Sequence, residues 1–198
     1  AASDVYKRQD ITIEGSGGGG NAFEINNTGS LDLNDKTFTY TSNNSNDINI
    51  TGGTRTISNT GSGTGTFEIL STGNASPNQT DLVVATGGVL NIGTKVKLSL
   101  RGTGSNSGFS VLNLPANALT FTGDFEINTR GGLTGSNAPV YNTGSILRYN
   151  SGGNYDRNLE WNAATGAGYP HHVVLANSTI FSLGANGGTT IARQLAGD

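Results

Sequence analysis

Triplets in which two apolar side chains flank a polar one recur along almost all of this 198-residue chain. Ile11-Thr12-Ile13, Phe23-Glu24-Ile25, Leu31-Asp32-Leu33 and Phe38-Thr39-Tyr40 come first. Ile48-Asn49-Ile50, Phe67-Glu68-Ile69 and Leu90-Asn91-Ile92 obey the same rule. A period of two sends successive side chains to opposite faces, so each triplet reads as a strand with one face buried. Gly, Asn, Ser and Thr separate the triplets, giving a strand about every twelve residues, the rhythm of an all-β chain. No stretch carries the i, i+3, i+4, i+7 apolar spacing of an amphipathic helix. The pattern predicts no strand between 129 and 144 or between 150 and 171, and a last strand at 189–193.

Only 33% of residues are hydrophobic and 13% charged, with 31 Gly making up much of the difference. Regular spacing of the aliphatic and aromatic residues separates this composition from disorder and points to a thin core with many turns. The net charge is -3 and the 11 basic residues are scattered, which argues against nucleic acid, whose phosphates need a concentrated positive surface. The longest apolar run, Leu82-Val83-Val84-Ala85, is far below the roughly 20 residues that cross a bilayer as a helix. With no Cys there is no disulfide or thiolate chemistry, and with no Met the chain reads as a fragment of something longer.

Residues 1–9 do not share the pattern. Ser3-Asp4-Val5-Tyr6-Lys7-Arg8-Gln9 resembles a peptide that arises when a sequencing adapter is translated in a metagenomic assembly, so 1–9 are read as non-native. Genomic sequence encoding the same nine residues would refute that reading. Residues 10–198 are then read as one β-unit.

Two architectures fit: a parallel β-solenoid, or β-helix, and a β-sandwich. The solenoid is favoured. The strands are short, and Asn-Gly or Asp-Gly hairpin turns are few. Gly doublets at 52–53, 87–88, 131–132, 152–153 and 187–188 include two intervals of 35 residues, the size of a three-strand coil. Five or six coils are expected, in a rod of roughly 25–30 Å.

Candidate chemistry is sparse. His171 and His172 are adjacent, so they point to opposite faces and do not make a metal site. Gly15 to Gly20 is followed by no Lys-Ser/Thr and is not a phosphate loop. Lys95, Lys97 and Arg101 alternate with apolar residues and are expected to form a basic strip on one outer face. Asp32, Asn34 and Asp35 are the nearest approach to a calcium site but supply too few carboxylates. No catalytic residue, metal site or cofactor is assigned.

The segment 149–170 breaks the rhythm, reads as an insertion loop, and holds the sole tryptophan, Trp161. Tyr155, Asp156, Arg157, Glu160 and Trp161 are the candidate glycan contacts, because rings with nearby carboxylates and a guanidinium can stack on and hydrogen-bond sugars. The alternative is a structural insertion whose rings cover an open coil.

Tyr149-Asn150-Ser151-Gly152-Gly153, Tyr155-Asp156-Arg157-Asn158-Leu159-Glu160-Trp161 and Gly166-Ala167-Gly168-Tyr169-Pro170 resemble an element of large, repeat-rich, adhesin-like extracellular proteins of Bacteroidota, many exported by the type IX system. The likeness covers 140–198 and is only compositional before that. It implies a secreted or cell-surface β-solenoid stalk, flanked by further coils of the same chain, that meets extracellular glycan or a neighbouring cell surface. It transfers no catalytic residues. The expected function is therefore a non-catalytic structural or adhesive segment, not an enzyme. The alternatives are a carbohydrate-active solenoid (polysaccharide lyase or glycoside hydrolase) and a glycan-binding module.

Overall fold

The computed structural model describes residues 10–15, 21–25, 30–42, 47–50, 52–72, 79–84, 88–103, 110–115 and 118–182. Within them the alternating triplets form strands that pair only in parallel. The chain winds as a β-solenoid of three sheets.

Seven strands make the first sheet: β1 (Ile11–Gly15), β4 (Thr37–Ser42), β7 (Gly65–Ser71), β10 (Val96–Gly102), β13 (Asp124–Asn128), β16 (Ile146–Asn150) and β18 (His172–Leu175). The second sheet holds β2 (Asn21–Ile25), β5 (Asp47–Ile50), β8 (Gln79–Val84), β11 (Ser110–Asn113) and β14 (Gly131–Thr134). The third holds β3 (Leu31–Asp32), β6 (Thr54–Ser58), β9 (Val89–Ile92), β12 (Leu119–Phe121) and β15 (Val140–Tyr141). A short pair, β17 (Asn154–Asp156) and β19 (Ile180–Ser182), follows at the C-terminal end. Five complete three-strand coils result, and six steps along the first sheet give a rod of roughly 29 Å.

Parallel sheets are ordinarily buried on both faces. Here the coil closes on itself, so each sheet has one interior face and one wet face, and its strands alternate. The interior is built of columns, with like positions stacked coil upon coil. Phe38, Phe67, Leu98, Phe125 and Leu147 form one column. Tyr40, Ile69, Leu100, Ile127 and Tyr149 form the next, and none of these five is more than 2% exposed. On the third sheet Leu31, Ile57, Ile92, Phe121 and Tyr141 stack in the same way. Rings meet face to face along the axis, Phe38 on Phe67 at 5.2 Å and Phe121 on Tyr141 at 5.6 Å.

Corners are made where side chains tolerate or need positive φ. Asn34 and Asp35 both lie there, and Lys36 N donates to Leu33 O at 2.9 Å across them. Asn177 and Ser178 repeat the device between Ala176 and Thr179.

The expected 35-residue period holds at one step, Ile57 to Ile92, but is not general. Successive rungs lie between 20 residues apart (Phe121 to Tyr141) and 35 apart (Ile57 to Ile92). Gly53 and Gly88 stand at like places, one residue before β6 and β9, but the doublets at 131–132 and 152–153 lie elsewhere. Gly52 and Gly53 turn between β5 and β6, Gly131 and Gly132 open β14, and Gly152 and Gly153 turn between β16 and β17. Each is there for its own local reason: a Cβ on Gly131 would sit 2.3 Å from Leu100 O. Strands β14, β15 and β17 were also unexpected. One begins with a Gly doublet, one is two residues long after Pro139, and one is Asn-Tyr-Asp, too polar to register as a strand. Residues 1–9 and the strand expected at 189–193 lie outside the described residues.

Candidate functional site

The sequence pointed to residues 149–170, and the structure places that segment at the C-terminal end of the rod. β16 and β17 continue the winding, but the chain then turns inward instead of forming a third strand. Leu159–Trp161 is a single 3-10 turn. The Asn158 side chain donates to Leu133 O at 2.8 Å, so an amide takes a carbonyl on β14 that a further strand would otherwise satisfy. Farther on, Gly168 N donates to Pro139 O at 2.8 Å. Gly168 has φ +74, and a Cβ there would lie 2.1 Å from Asn162 Oδ1, so glycine is required.

The five candidate glycan contacts divide sharply. Arg157, Glu160 and Trp161 are buried, at 3%, 0% and 4% exposure, while Tyr155 is half-buried and Asp156 exposed. Arg157 donates through Nη1 to Trp161 O at 2.9 Å and closes the turn on itself. Trp161 stacks on Phe181 at 5.7 Å, and Phe181 in turn lies 4.4 Å from Tyr149. The rings thus fill the last coil from within. In this conformation only Asp156 and part of Tyr155 offer side-chain surface to a ligand.

Glu160 is the unusual group. Its Oε1 accepts from Asn158 N at 2.8 Å and from the Tyr149 hydroxyl at 3.1 Å, while its own carbonyl accepts from the Tyr141 hydroxyl at 2.9 Å. Oε2 has no hydrogen-bond partner. Burial pushes the carboxyl up to about 7, against the opposing pull of the hydrogen bonds it accepts. Burial, with the Glu160 charge next in importance, holds the Tyr141, Tyr149 and Tyr155 hydroxyls well above the usual phenol range. A wholly buried carboxyl presents no surface to a ligand in this conformation.

The ion pairs among the described residues lie elsewhere, on the wet face of the seven-stranded sheet. Lys97 and Arg101 do project there from β10, but Lys95 sits in the preceding turn at φ 59. The strip is not a free basic one. Arg101 Nε donates to Glu68 Oε1 at 2.8 Å and Nη2 to Glu68 Oε2 at 3.1 Å, a two-point pair. Lys97 Nζ donates to Glu126 Oε1 at 3.3 Å, and Arg148 lies 3.7 Å from Glu126 and 3.8 Å from Asp124. Burial lifts Asp124 above the ordinary aspartate value, with Arg148 and Lys97 pulling it down. Every one of these pairs joins different coils. Glu68 and Glu126 were missed because pairing depends on coil length. The usable signal was the shared triplet, since Phe67-Glu68-Ile69 and Phe125-Glu126-Ile127 flank Lys97 to Arg101 in register.

Asp32 and Asp35 act as corner braces. Asp32 Oδ1 accepts from Thr60 N at 3.0 Å and Asn34 N at 3.1 Å. Asp35 Oδ1 accepts from Asn59 Nδ2 at 2.7 Å, and that bond holds its carboxyl below the ordinary aspartate value. Among the described residues no group of three His, Asp or Glu could hold a metal ion, and no helix is long and apolar enough to cross a membrane. His171 and His172 are both exposed, their rings edge to face at 4.4 Å. An open groove of about 430 Å³ runs between β15 and the returning chain, lined by Val140, Tyr141, Thr143, Gly166, Tyr169 and His171 among others. Tyr169 stands 45% exposed beside it. No family model matches this chain, and neither a curated protein nor a solved structure matches it.

Proposed function

We propose that this chain is a non-catalytic structural and adhesive segment of a larger secreted or cell-surface protein, in which the solenoid serves as a stiff spacer. The observation that carries the reading is the pairing on the wet face of the seven-stranded sheet. Glu68, Asp124 and Glu126 are each held by Arg or Lys from another coil. A carboxylate engaged in that way braces neighbouring coils against sliding and is not poised as a free base. The resemblance of 140–198 to adhesin-like solenoid proteins supports the secreted setting. The test is incubation with a panel of neutral and acidic polysaccharides, followed by assays for reducing ends and unsaturated products. No product is expected. Turnover that disappears in Glu126→Gln would overturn the reading in favour of a lyase or hydrolase.

Glycan contact is the second reading. The groove beside Tyr169 favours it, because an exposed ring next to Thr143 and His171 combines a stacking face with hydrogen-bonding groups and carries no fixed charge. Asp156 and Tyr155 remain the members of the 155–161 group with surface to contribute. Retention on a glycan array that is lost in Tyr169→Ala would support this reading, and an unchanged profile would remove it.

A further inference from the structure

The polar side chains on the outside of the rod fall into two kinds. On the wet face of the seven-stranded sheet they are committed to one another: Thr39 to Glu68, Glu68 to Arg101, Lys97 to Glu126, and Asn128 to both Ser99 and Glu126. The wet face of the third sheet differs. Ile57, Ile92 and Phe121 point inward there, so alternation turns Thr56, Asn91 and Thr120 outward. These three stand in one column, which continues into Val140. None carries a charge, and each is half-buried. Among the described residues, no hydrogen bond engages the Thr56 or Thr120 hydroxyl or the Asn91 amide.

The column ends at the groove, which Val140 lines together with Thr143, Tyr169 and His171. Backbone bonds hold the returning chain in place: Gly168 N donates to Pro139 O at 2.8 Å and Tyr169 N to Gly166 O at 3.2 Å. The groove is formed in advance, which spares part of the ordering cost of binding. No Lys, Arg, Asp or Glu lines the groove or stands in the column.

Uncommitted neutral donors and acceptors repeat here at the coil spacing of roughly 4.8 Å. They match a chain whose units are uncharged, bear hydroxyls and advance by a similar step. An extended glycan of neutral sugars does so, and each ring has an apolar face that can stack on Tyr169. A polypeptide that docks by strand addition needs a sheet edge, and strands β6, β9 and β12 are paired on both sides. An acidic glycan would find no Lys or Arg along this path.

We infer that the groove holds one unit of an uncharged linear polysaccharide, and that the chain runs from it along the rod over Thr120, Asn91 and Thr56. This rests on the glycan-contact reading above and adds to it the charge, the length and the path of the ligand.

Calorimetric titration with neutral gluco-, manno- and xylo-oligosaccharides, from monosaccharide to hexasaccharide, and with oligogalacturonates tests it. In a neutral series that binds, affinity should rise about three- to tenfold for each unit that reaches a further coil. It should level off at four units, one in the groove and one each at Thr120, Asn91 and Thr56. Asn91→Ala and Thr120→Val should each weaken tetrasaccharide binding by a similar factor and leave monosaccharide binding unchanged. Tyr169→Ala should abolish both, and Thr39→Val, on the other wet face, should change neither. Thermal midpoints equal to wild type show that the variants fold, and Thr120→Val keeps the side-chain volume if Asn91→Ala does not. Affinity that ignores length yet falls in Tyr169→Ala would overturn the path and leave the glycan-contact reading standing, as would wild-type tetrasaccharide binding in the two column variants. Tighter binding of oligogalacturonates, or displacement of the sugar by unfolded casein, would overturn the assignment to a neutral glycan. Absence of binding by every neutral series would remove both the inference and the reading beneath it.

Discussion

The Tyr149 hydroxyl lies 3.1 Å from Glu160 Oε1 inside the last coil, where the carboxyl is wholly buried. An ordinary carboxylate in water titrates near 4.5, whereas burial moves this one to about 7. The folded protein therefore binds a proton over that interval that the unfolded chain has released. Stability from this group is complete below pH 4.5, falls as pH rises between 4.5 and about 7, and levels off above. The full span amounts to something on the order of 3 kcal/mol. Urea unfolding at a series of pH values should show the decline, and Glu160→Gln should flatten it. An equal slope in the variant would rule out Glu160 as the source.

Arg101 and Glu68 are 39% and 14% exposed, so solvent screens the pair despite its two-point geometry. A double-mutant cycle with Arg101→Ala and Glu68→Ala should give a coupling of roughly 0.5–1 kcal/mol. At 1 M salt, where the screening length falls to about 3 Å, most of it should be lost. A salt-independent coupling would show that packing, not charge, links the two side chains.

Gly123 and Gly153 are predicted to differ sharply when replaced by Ala. A Cβ on Gly123 would lie 2.2 Å from Val96 O and 2.3 Å from Gly93 O, both backbone atoms that cannot swing aside. A Cβ on Gly153 would meet nothing within 4 Å. Gly123→Ala should cost about 2–3 kcal/mol or more, and Gly153→Ala should stay within about 0.5 kcal/mol of wild type. Equal thermal midpoints for the two variants would contradict the close approach at that corner.

Phe125 is fully buried in the column of Phe38, Phe67, Leu98 and Leu147 and stacks on Phe121 at 4.8 Å. Phe125→Ala should destabilise by about 3–5 kcal/mol, since coils above and below are held apart by the parallel ladders and cannot collapse into the cavity. Phe125→Leu should retain most of the stability, because Leu already fills the equivalent rungs at Leu98 and Leu147. A small loss for Phe125→Ala would mean that the coil relaxes more freely than the ladder allows.

Trp161, the sole tryptophan, is 4% exposed and stacked on Phe181. Its emission should be blue-shifted and resist quenching by iodide in the native protein. Quenching as in free indole would show that the last coil is open.

Much of this architecture was legible beforehand. Phe67-Glu68-Ile69 and its kin declared strands, and the faces they assigned hold: Phe67 and Ile69 are within 2% of complete burial while Glu68 is on the wet face. The preference for a solenoid over a sandwich also held, with parallel pairing throughout and five complete coils against the expected five or six. The 35-residue interval survived at one step, β6 to β9, and not as a general period, because the chain between strands varies in length and no single interval marks a coil. The composition of 149–170 set it apart, but its polar residues could not reveal which way they faced. Arg157 and Glu160 find local partners in Trp161 O and Asn158 N, and those bonds help two residues of charged type go inward.

What the chain determined by itself was the alternation, and with it, among the described residues, the absence of an α-helix and the inner face of most strands, because a period of two is a property of the local backbone. The tertiary structure decided which residues share a rung. Arg101 meets Glu68 across 33 residues and Lys97 meets Glu126 across 29, distances set by the lengths of intervening corners. It also decided that Trp161 fills the end of the rod. That outcome depends on a carbonyl of β14 being free to receive Asn158, a condition visible only once the coils are stacked.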